Sequence, residues 1–245
     1  MGPSDPQGGV EGELNDPTDL QGTASVKTID CYYSVRSVYA YFGAPRITAL
    51  AARFGRRLRH RPIDLSQVVP AAGSVPFAER SATLRAYQFG RELERWSEWL
   101  GMPVILEPVH HYGDRDLPSG LVLAAQHAGA DVDALSSAML TALWRDDRDI
   151  GDRAVLAQIA REVGIDAGPL LERALQPDVR AEFAACTAEA IRIGVLGSPT
   201  YVVDGELFYG QDRLMFVERH LERPFGSGSP GAVAPSSAPA PTSGT

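Results

Sequence analysis

The most informative part of the sequence is Gly194-Val195-Leu196-Gly197-Ser198-Pro199-Thr200-Tyr201-Val202-Val203-Asp204-Gly205-Glu206-Leu207-Phe208-Tyr209-Gly210-Gln211-Asp212-Arg213. It predicts a loop, a proline, a strand, a two-residue turn, a second strand and the start of a helix. Asp204-Gly205 is the turn, because both of its positions require positive φ. After Gly210, two polar residues begin a helix that we expect to end near Leu221. Ser198-Pro199 is a place where a cis peptide bond would present a backbone edge to a ligand.

The N-terminal part of the chain predicts a β-α-β unit. Thr28–Tyr33 alternates as a strand does, residues 38–54 have a helical period, and Arg57–Asp64 forms the second strand. Pro45 inside the helical period indicates either a kink or a later helix start. The crossover between the two strands is expected to be right-handed. With the hairpin described above, this is the element order of a thioredoxin-like fold.

The middle of the chain is helical throughout. Apolar residues recur there at the spacing of one helix face. The predicted helices span residues 79–101, 118–129, 131–145, 152–163, 167–174 and 178–193. The sequence therefore predicts an α/β protein: a thioredoxin-like domain, residues 27–74 and 194–225, with an inserted all-helical domain, residues 75–193.

Composition limits the kind of protein this is. The formal net charge is −8, and residues 1–26 hold five acidic residues and no basic one. Residues 1–26 and 226–245 are poor in large apolar residues, so both are expected to be disordered. No basic surface for nucleic acid is indicated. No apolar run reaches the ~20 residues of a membrane span, and no secretory signal is apparent, so we expect a cytoplasmic protein.

Two cysteines and two adjacent histidines are the residues most easily mistaken for a site. Cys31 and Cys186 are too few for a disulfide framework and lack metal-ligand spacing. Cys31 is expected to be buried and inert; Cys186 is either a core or surface thiol or a resident nucleophile. Adjacent side chains such as His110 and His111 do not share a helix face, so we expect no metal. Two interpretations of His110 and His111 stay open: they lie in a surface loop, or one of them faces a substrate.

The turn between the first strand and the first helix predicts an anion site. It reads Ser34-Val35-Arg36-Ser37-Val38-Tyr39-Ala40-Tyr41, and the free N–H groups at a helix start attract anions. A thiolate placed there gains about 0.3–1 kcal/mol when exposed and up to ~2 when partly buried. Ser37 alone would also be explained as a helix N-cap.

The chain resembles the 2-hydroxychromene-2-carboxylate isomerase family, which is related to kappa-class glutathione transferases and disulfide-oxidoreductase A proteins. The resemblance extends over about residues 28–222. It rests on motifs that occur in the family's order: Asp30-Cys31-Tyr32-Tyr33, Ser37-Val38-Tyr39-Ala40-Tyr41, Trp96, Arg148-Asp149-Ile150, Gly194-Val195-Leu196-Gly197-Ser198-Pro199-Thr200, Asp204-Gly205 and Gly210-Gln211-Asp212-Arg213. Any one of these motifs alone would be weak evidence.

The resemblance implies a catalytic role for Ser37. Redox relatives carry the first cysteine of Cys-x-x-Cys at this position, and Ala40 stands at the second, so dithiol exchange at this turn is not expected. Family members bind glutathione, and their serine hydrogen-bonds its sulfur. The thiolate adds to a conjugated double bond, the bond rotates, and the thiol leaves again, which is catalysis by a borrowed nucleophile.

The same resemblance implies a binding site for glutathione or another small thiol. The backbone at Leu196–Ser198, before Pro199, would pair with the tripeptide in strand fashion. Gln211 and Asp212 match positions that hold its γ-glutamyl end, and capping of its own helix is the alternative role for Asp212. As substrate contacts we predict Arg36, Tyr39 and His111, with core packing an equal alternative for Tyr39.

Three positions depart from the family pattern. Val38 replaces a proline, Val69 lies near the place of a lysine, and Ser74 near that of an asparagine. Loss of a charge-assisted hydrogen bond costs about 1.5–3 kcal/mol, so substrate, thiol or activity is expected to differ. Arg36 is a candidate replacement for the lost positive charge.

The expected activity is cis–trans isomerisation of a conjugated double bond in a small aromatic or polyene acid, assisted by a thiol. The substrate is a small molecule or is bound to a carrier protein, and a specialised-metabolite pathway and a homodimer are further expectations. Three alternatives stay open: a glutathione-type transferase, a thiol-independent isomerase acting on a carrier-bound polyene, and a non-catalytic binding protein.

Overall fold

The computed structural model describes residues 26–226; the predictions made for residues 1–25 and 227–245 lie outside the described residues. Within this part of the chain a four-stranded mixed sheet has the order β2-β1-β3-β4. β1 pairs in parallel with β2, whereas β3 is antiparallel to both β1 and β4. The strands are β1 (Thr28–Tyr33), β2 (Arg57–Pro62), β3 (Thr200–Val203) and β4 (Glu206–Tyr209).

Helices pack around the sheet, and most of them belong to the chain segment that connects the end of β2 to the start of β3. In chain order they are α1 (Val38–Arg53), α2 (Leu65–Ala71), α3 (Ala82–Ala86), α4 (Glu92–Leu100), α5 (Asp116–His127), α6 (Val132–Trp144), α7 (Arg153–Glu162), α8 (Ala167–Ala174), α9 (Pro177–Arg192) and α10 (Leu214–Glu222). Within residues 26–226, no helix combines the length and apolar character that crossing a membrane requires.

Alternation along β1 separates two hydrophobic cores. Ile29, Cys31 and Tyr33 face the larger core, which also contains buried residues of α1 and α10 and most of the inserted helices. Tyr32 faces the opposite side, where residues of α2, α5 and α9 form the smaller core. Successive side chains of a strand point to opposite faces of the sheet, so one central strand anchors both layers.

Helix α1 brings its N-terminus against the hairpin strand β3. It runs from Val38 through Pro45 to Arg53, so the later start considered from the sequence is wrong. A Cβ at Gly43 would lie 2.4 Å from the hydroxyl of Tyr201. Only glycine allows this approach, which sets the position of the helix start relative to the hairpin.

The inserted helices pack around α5, whose residues from Leu117 to Ala125 are all buried. A Cβ at Gly120 would lie only 2.1 Å from the carbonyl oxygen of Ala174 at the end of α8. The two helix backbones therefore touch. The helical insertion is consequently a packed body and not a set of surface loops.

Two sequence predictions about segment ends are corrected. The second strand ends at Pro62, not at Asp64, because the Asp64 side chain accepts a hydrogen bond from the N–H of Ser66 and caps α2. The region predicted as one helix from 79 begins instead at Ala82, and a π-helical turn, Tyr87–Arg91, separates α3 from α4. The hydrophobic period persists through such a turn, so the sequence does not reveal it.

Candidate active site

A large cleft opens beside the start of α1. Its volume is about 1010 Å³, and it is bounded by residues 34–39, 64–80, 88–96, 111–116 and 197–213. Clefts of this size, with apolar walls and a few polar groups, are typical of small-molecule sites. Seven of the nine residues nominated from the sequence line it: Arg36, Ser37, Tyr39, His111, Ser198, Gln211 and Asp212.

Ser37 lies where α1 meets the hairpin loop. Its hydroxyl oxygen accepts a hydrogen bond from the N–H of Ala40 at 3.2 Å and donates one to the carbonyl of Ser198 at 3.3 Å. Ser37 is therefore an N-cap residue, and it also lines the cleft with 9% of its surface exposed. The Ser198-Pro199 peptide bond is cis, as the sequence suggested.

The helix start provides further hydrogen-bond donors. Among residues 26–226, the N–H groups of Val38 and Tyr39 have no hydrogen-bond partner, as is usual for the first turn of a helix. The helix dipole adds partial positive charge at this end. A small anion beside Ser37 would therefore be stabilised.

Arg36 ties the turn before α1 to the opposite wall of the cleft. Its Nη1 donates to the carbonyl of His111 at 2.6 Å and its Nη2 to the carbonyl of Asp114 at 2.8 Å. Burial lowers the pKa of its guanidinium from the ordinary value, and the neighbouring carboxylates of Asp114 and Asp149 partly offset this. Arg36 therefore holds the segment 111–114 in place.

His111 faces the cleft from that segment. Its ring centroid lies 4.8 Å from that of Trp144, and the tryptophan also lines the cleft. Burial, and secondly the charge of Arg36, lower the pKa of the imidazole below 6.5. His111 is thus neutral at neutral pH and can accept or donate one hydrogen bond to a ligand.

Tyr39 supports an aromatic wall. Its hydroxyl donates to the carbonyl of Gln88 at 2.7 Å, within the π-helical turn, so the ring is held in one position. Phe89 contacts the Tyr39 ring edge-on with 6.2 Å between centroids, and Phe77 contacts Phe89 in the same way at 4.8 Å. All three rings line the cleft, which can therefore accept a flat apolar ligand.

Gln211 and Asp212 start a 3-10 turn after the hairpin. Gln211 is buried, and its side-chain oxygen accepts a hydrogen bond from Arg46 at 2.5 Å, which leaves the amide nitrogen for another partner. The carboxylate of Asp212 is paired with Arg213. A Cβ at Gly210 would contact the Asp212 carboxylate at 2.3 Å, and the φ of Gly210 is +99°. Glycine is therefore required to place Asp212 at the cleft.

Two nominated residues do not line the cleft. Leu196 is 48% exposed, and Pro199 borders a separate small cavity of about 30 Å³ on the other side of the hairpin loop. Within residues 26–226, no hydrogen bond engages the backbone of Leu196. The loop therefore keeps an open backbone edge next to the cleft.

An ion pair in the cleft wall, between a buried carboxylate and a half-exposed arginine, was missed from the sequence. Arg115 donates to the carboxylate of Asp64 at 2.7 Å. Burial opposes the charge of Asp64, but hydrogen bonds from Ser66 and Gln67 and the charge of Arg115 outweigh it, so the pKa lies below its ordinary value. The partners are 51 residues apart, and no local pattern announces such a contact.

Both cysteines are buried and free. Burial raises the pKa of the Cys31 thiol, and it raises that of Cys186 although Arg61 opposes the shift. Neither residue lines the cleft, and position 37 carries an oxygen in place of sulfur.

This fold and site define a class: a thioredoxin-fold protein with inserted helices and a serine at the start of the first helix. Residues 28–222 match the family described as DSBA-like thioredoxin domain. The chain belongs to the DSBA-like thioredoxin family and, within it, to the group of the 2-hydroxychromene-2-carboxylate isomerases. The predicted fold class and resemblance are thereby confirmed.

Two isomerases carry this assignment. The chain is 30% identical over 197 residues to 2-hydroxychromene-2-carboxylate isomerase of Sphingobium xenophagum, covering 80% of this chain and 98% of the relative. It is 26% identical over 196 residues to the enzyme of the same name from Pseudomonas putida, and this match covers 80% of this chain and 94% of the relative.

Solved structures share the fold. A 2-hydroxychromene-2-carboxylate isomerase structure superposes with a TM-score of 0.67 at 23% identity, covering 80% of this chain and 95% of that one. The cytosolic disulfide reductase DsbM of Pseudomonas aeruginosa, solved with GSH, superposes with a TM-score of 0.57 at 22% identity. The match covers 80% of this chain and 93% of DsbM.

Proposed function

We propose that this protein is an isomerase that interconverts the cis and trans forms of a conjugated double bond in a small aromatic or polyene acid, with glutathione or a similar thiol as a borrowed nucleophile. The observation that carries the proposal is the position of Ser37. Its hydroxyl lies at the start of α1, opposite the carbonyl of Ser198, on a cleft with an aromatic wall.

The residues at the cleft fit a thiol ligand. Ser37 would turn its hydroxyl proton from the Ser198 carbonyl to the sulfur, and the N–H groups of Val38 and Tyr39, which have no partner among the described residues, would favour the anion. The open backbone edge at Leu196 suits an extended peptide. Asp212, across the cleft, would meet a cationic amine. Because DsbM, a neighbour in fold, was solved with GSH, glutathione is the first thiol to test.

A bound thiolate would add to one end of the conjugated double bond, so that the remaining single bond can rotate, and would leave when the electron pair returns and re-forms the double bond. The protein's contribution is to keep the sulfur ionised at Ser37 and to hold the substrate ring against Tyr39 and Phe89. Neutral His111 could shield the reacting carbons from water or hold a polar substituent.

Dithiol oxidation is not the activity that we propose, although disulfide reductases share the fold. Such a cycle needs two neighbouring sulfurs. At the start of α1 this chain has Ser37 and Ala40, and its two cysteines are buried away from the cleft. The isomerase names of the relatives agree with a reaction that consumes no electrons.

The test is to incubate the purified protein with cis and trans aryl-substituted 2-enoic acids, with and without glutathione. Mass spectrometry and ultraviolet absorbance would follow the products. We expect an isobaric product, formed only when a thiol is present. A retained thiol adduct would instead identify a transferase, and full turnover without thiol would identify a thiol-independent isomerase and refute the borrowed nucleophile.

Two further outcomes address the remaining alternatives. Tight binding without turnover of any acid would indicate a non-catalytic binding protein. Turnover of a carrier-protein thioester, but not of the free acid, would show that the substrate is delivered by a carrier. The assay therefore includes a pantetheine thioester of each acid.

A further inference from the structure

We propose that Arg115 binds the carboxylate of the acidic substrate, with Asp64 holding the guanidinium in position. This inference rests on the proposed function and adds to it the residue that selects an acid. It also bears on a departure noted in the sequence, because the resemblance implies a lysine near Val69, and Val69 lines the same cleft as Arg115.

Arg115 is anchored by a well-held carboxylate. The side chain of Asp64 is only 7% exposed and accepts hydrogen bonds from the N–H and hydroxyl of Ser66 and from Gln67. Nη1 of Arg115 donates to it at 2.7 Å, while the arginine side chain itself is 47% exposed. Asp64 therefore fixes one end of a guanidinium that is half exposed and belongs to a residue lining the cleft.

The available donors distinguish Arg115 from Arg36 and Arg80, which also line the cleft. A guanidinium binds a carboxylate best through two adjacent N–H groups. Within residues 26–226, Nε and Nη2 of Arg115 have no partner, so one whole edge is available. In Arg36 both Nη groups donate to carbonyls, and in Arg80 Nε and Nη1 donate to Val75 and Gln88.

Arg115 lines the same cleft as Ser37. Arg36 lies in the turn directly before Ser37, and its Nη2 donates to the carbonyl of Asp114, the residue before Arg115. The Arg115 charge also lowers the pKa of Arg36. The Arg36 side chain therefore links the chain segments that carry Ser37 and Arg115.

The overall charge of the cleft does not itself attract an acid. Five carboxylates and four guanidinium groups line it. Selection of an acid consequently requires a local pair of donors, and the Asp114 carboxylate does not compete for them because it accepts from the N–H groups of Asp116 and Leu117.

Binding of cinnamate and of cinnamamide tests the proposal without requiring turnover. The two probes differ only in the charged group, and calorimetry measures both affinities in the full chain. We expect the protein to prefer cinnamate, and Arg115→Gln to reduce that preference about 10- to 100-fold, because a charge-assisted pair is lost. Arg173→Gln, which removes an exposed arginine paired with Asp178, is the matched control and should keep the preference.

Arg115→Lys is the second variant, in case the glutamine variant folds poorly. Lysine keeps the charge but not the two-donor edge, so we expect an intermediate preference. An unchanged preference in Arg115→Gln, or no preference in the unmodified protein, would overturn the proposal. Isomerisation in the product assay above is measured independently, so the proposed function can stand when this inference fails.

Discussion

The hydroxyl of Ser37 is hydrogen-bonded to the carbonyl oxygen of Ser198, at 3.3 Å and across 161 residues of chain. Ser198 is followed by cis-Pro199, and its own hydroxyl accepts a hydrogen bond from the N–H of Ser34. Two hydrogen bonds thus fasten the turn before α1 to the loop before β3. The candidate site depends on this junction between the two ends of the folded chain.

Replacing Ser37 by alanine should reduce both activity and stability. Loss of a hydrogen bond to a charged sulfur costs about 1.5–3 kcal/mol, which corresponds to a decrease in kcat/KM of about 10- to 100-fold. Loss of the N-cap costs about 0.5–2 kcal/mol of unfolding free energy. Steady-state kinetics and urea unfolding measure the two effects separately.

Ser81→Ala is the control for that variant. Ser81 caps α3 by accepting from the N–H of Leu84 at 3.2 Å, and it does not line the cleft. The Ser81→Ala variant should lose as much unfolding free energy as Ser37→Ala, or less, and should keep its activity. An equal loss of activity in both variants would mean that Ser37 acts only as a cap.

Protonation of His111 should destabilise the protein at mildly acidic pH. Its pKa in the folded protein is lowered, chiefly by burial, so the unfolded chain binds more protons between the folded value and 6.5. The unfolding free energy should therefore fall as pH drops below about 6.5. Comparing the pH dependence of unfolding in the unmodified protein and in His111→Gln measures this contribution, and identical slopes would contradict it.

The sequence predicted the hairpin and its surroundings well because those signals are local. The Asp204-Gly205 turn has positive φ at both positions, and Ser198-Pro199 is cis. The π-helical turn and the Asp64–Arg115 pair could not be predicted in this way. The first leaves the apolar period intact, and the second joins residues that only the inserted helices bring together.

Gly120→Ala should destabilise the inserted helices strongly. The new Cβ would lie 2.1 Å from the backbone oxygen of Ala174, and backbone cannot move as a flexible side chain does. Overpacking costs typically about 1–3 kcal/mol and occasionally more. Thermal or urea unfolding would record the loss.

Gly168→Ala provides the matched comparison in α8. The contact nearest to its Cβ would be the Asp166 carboxylate at 3.4 Å, which is ordinary contact. This variant should be neutral or more stable by about 0.4–1 kcal/mol, because the unfolded chain loses freedom. Equal destabilisation of the two variants would show that α5 and α8 do not approach so closely.

Asp64→Asn should lower the unfolding free energy of the protein more at neutral pH than at acidic pH. The carboxylate has a lowered pKa in the folded state, so its contribution is complete above the ordinary value of 3.8 and disappears as pH falls through the folded value. Removing it leaves Arg115 without its partner, at a cost of about 1–3 kcal/mol. The difference between the unfolding free energies of the two proteins should therefore be constant above pH 3.8 and shrink as pH falls below that value, and a difference that stays constant there would contradict the assignment.

Neither cysteine should take part in the reaction. Burial raises the pKa of both thiols, and the thiolate is the reactive form. A disulfide reagent should therefore react slowly with the native protein and modify both thiols after denaturation. The double variant Cys31→Ala/Cys186→Ala should keep thiol-dependent isomerisation, since the nucleophile comes from the added thiol. Loss of turnover in a folded double variant would instead implicate one of the two thiols, and Cys186→Ala alone would be tested first, because the Cys186 sulfur contacts the charged Arg61 at 3.8 Å.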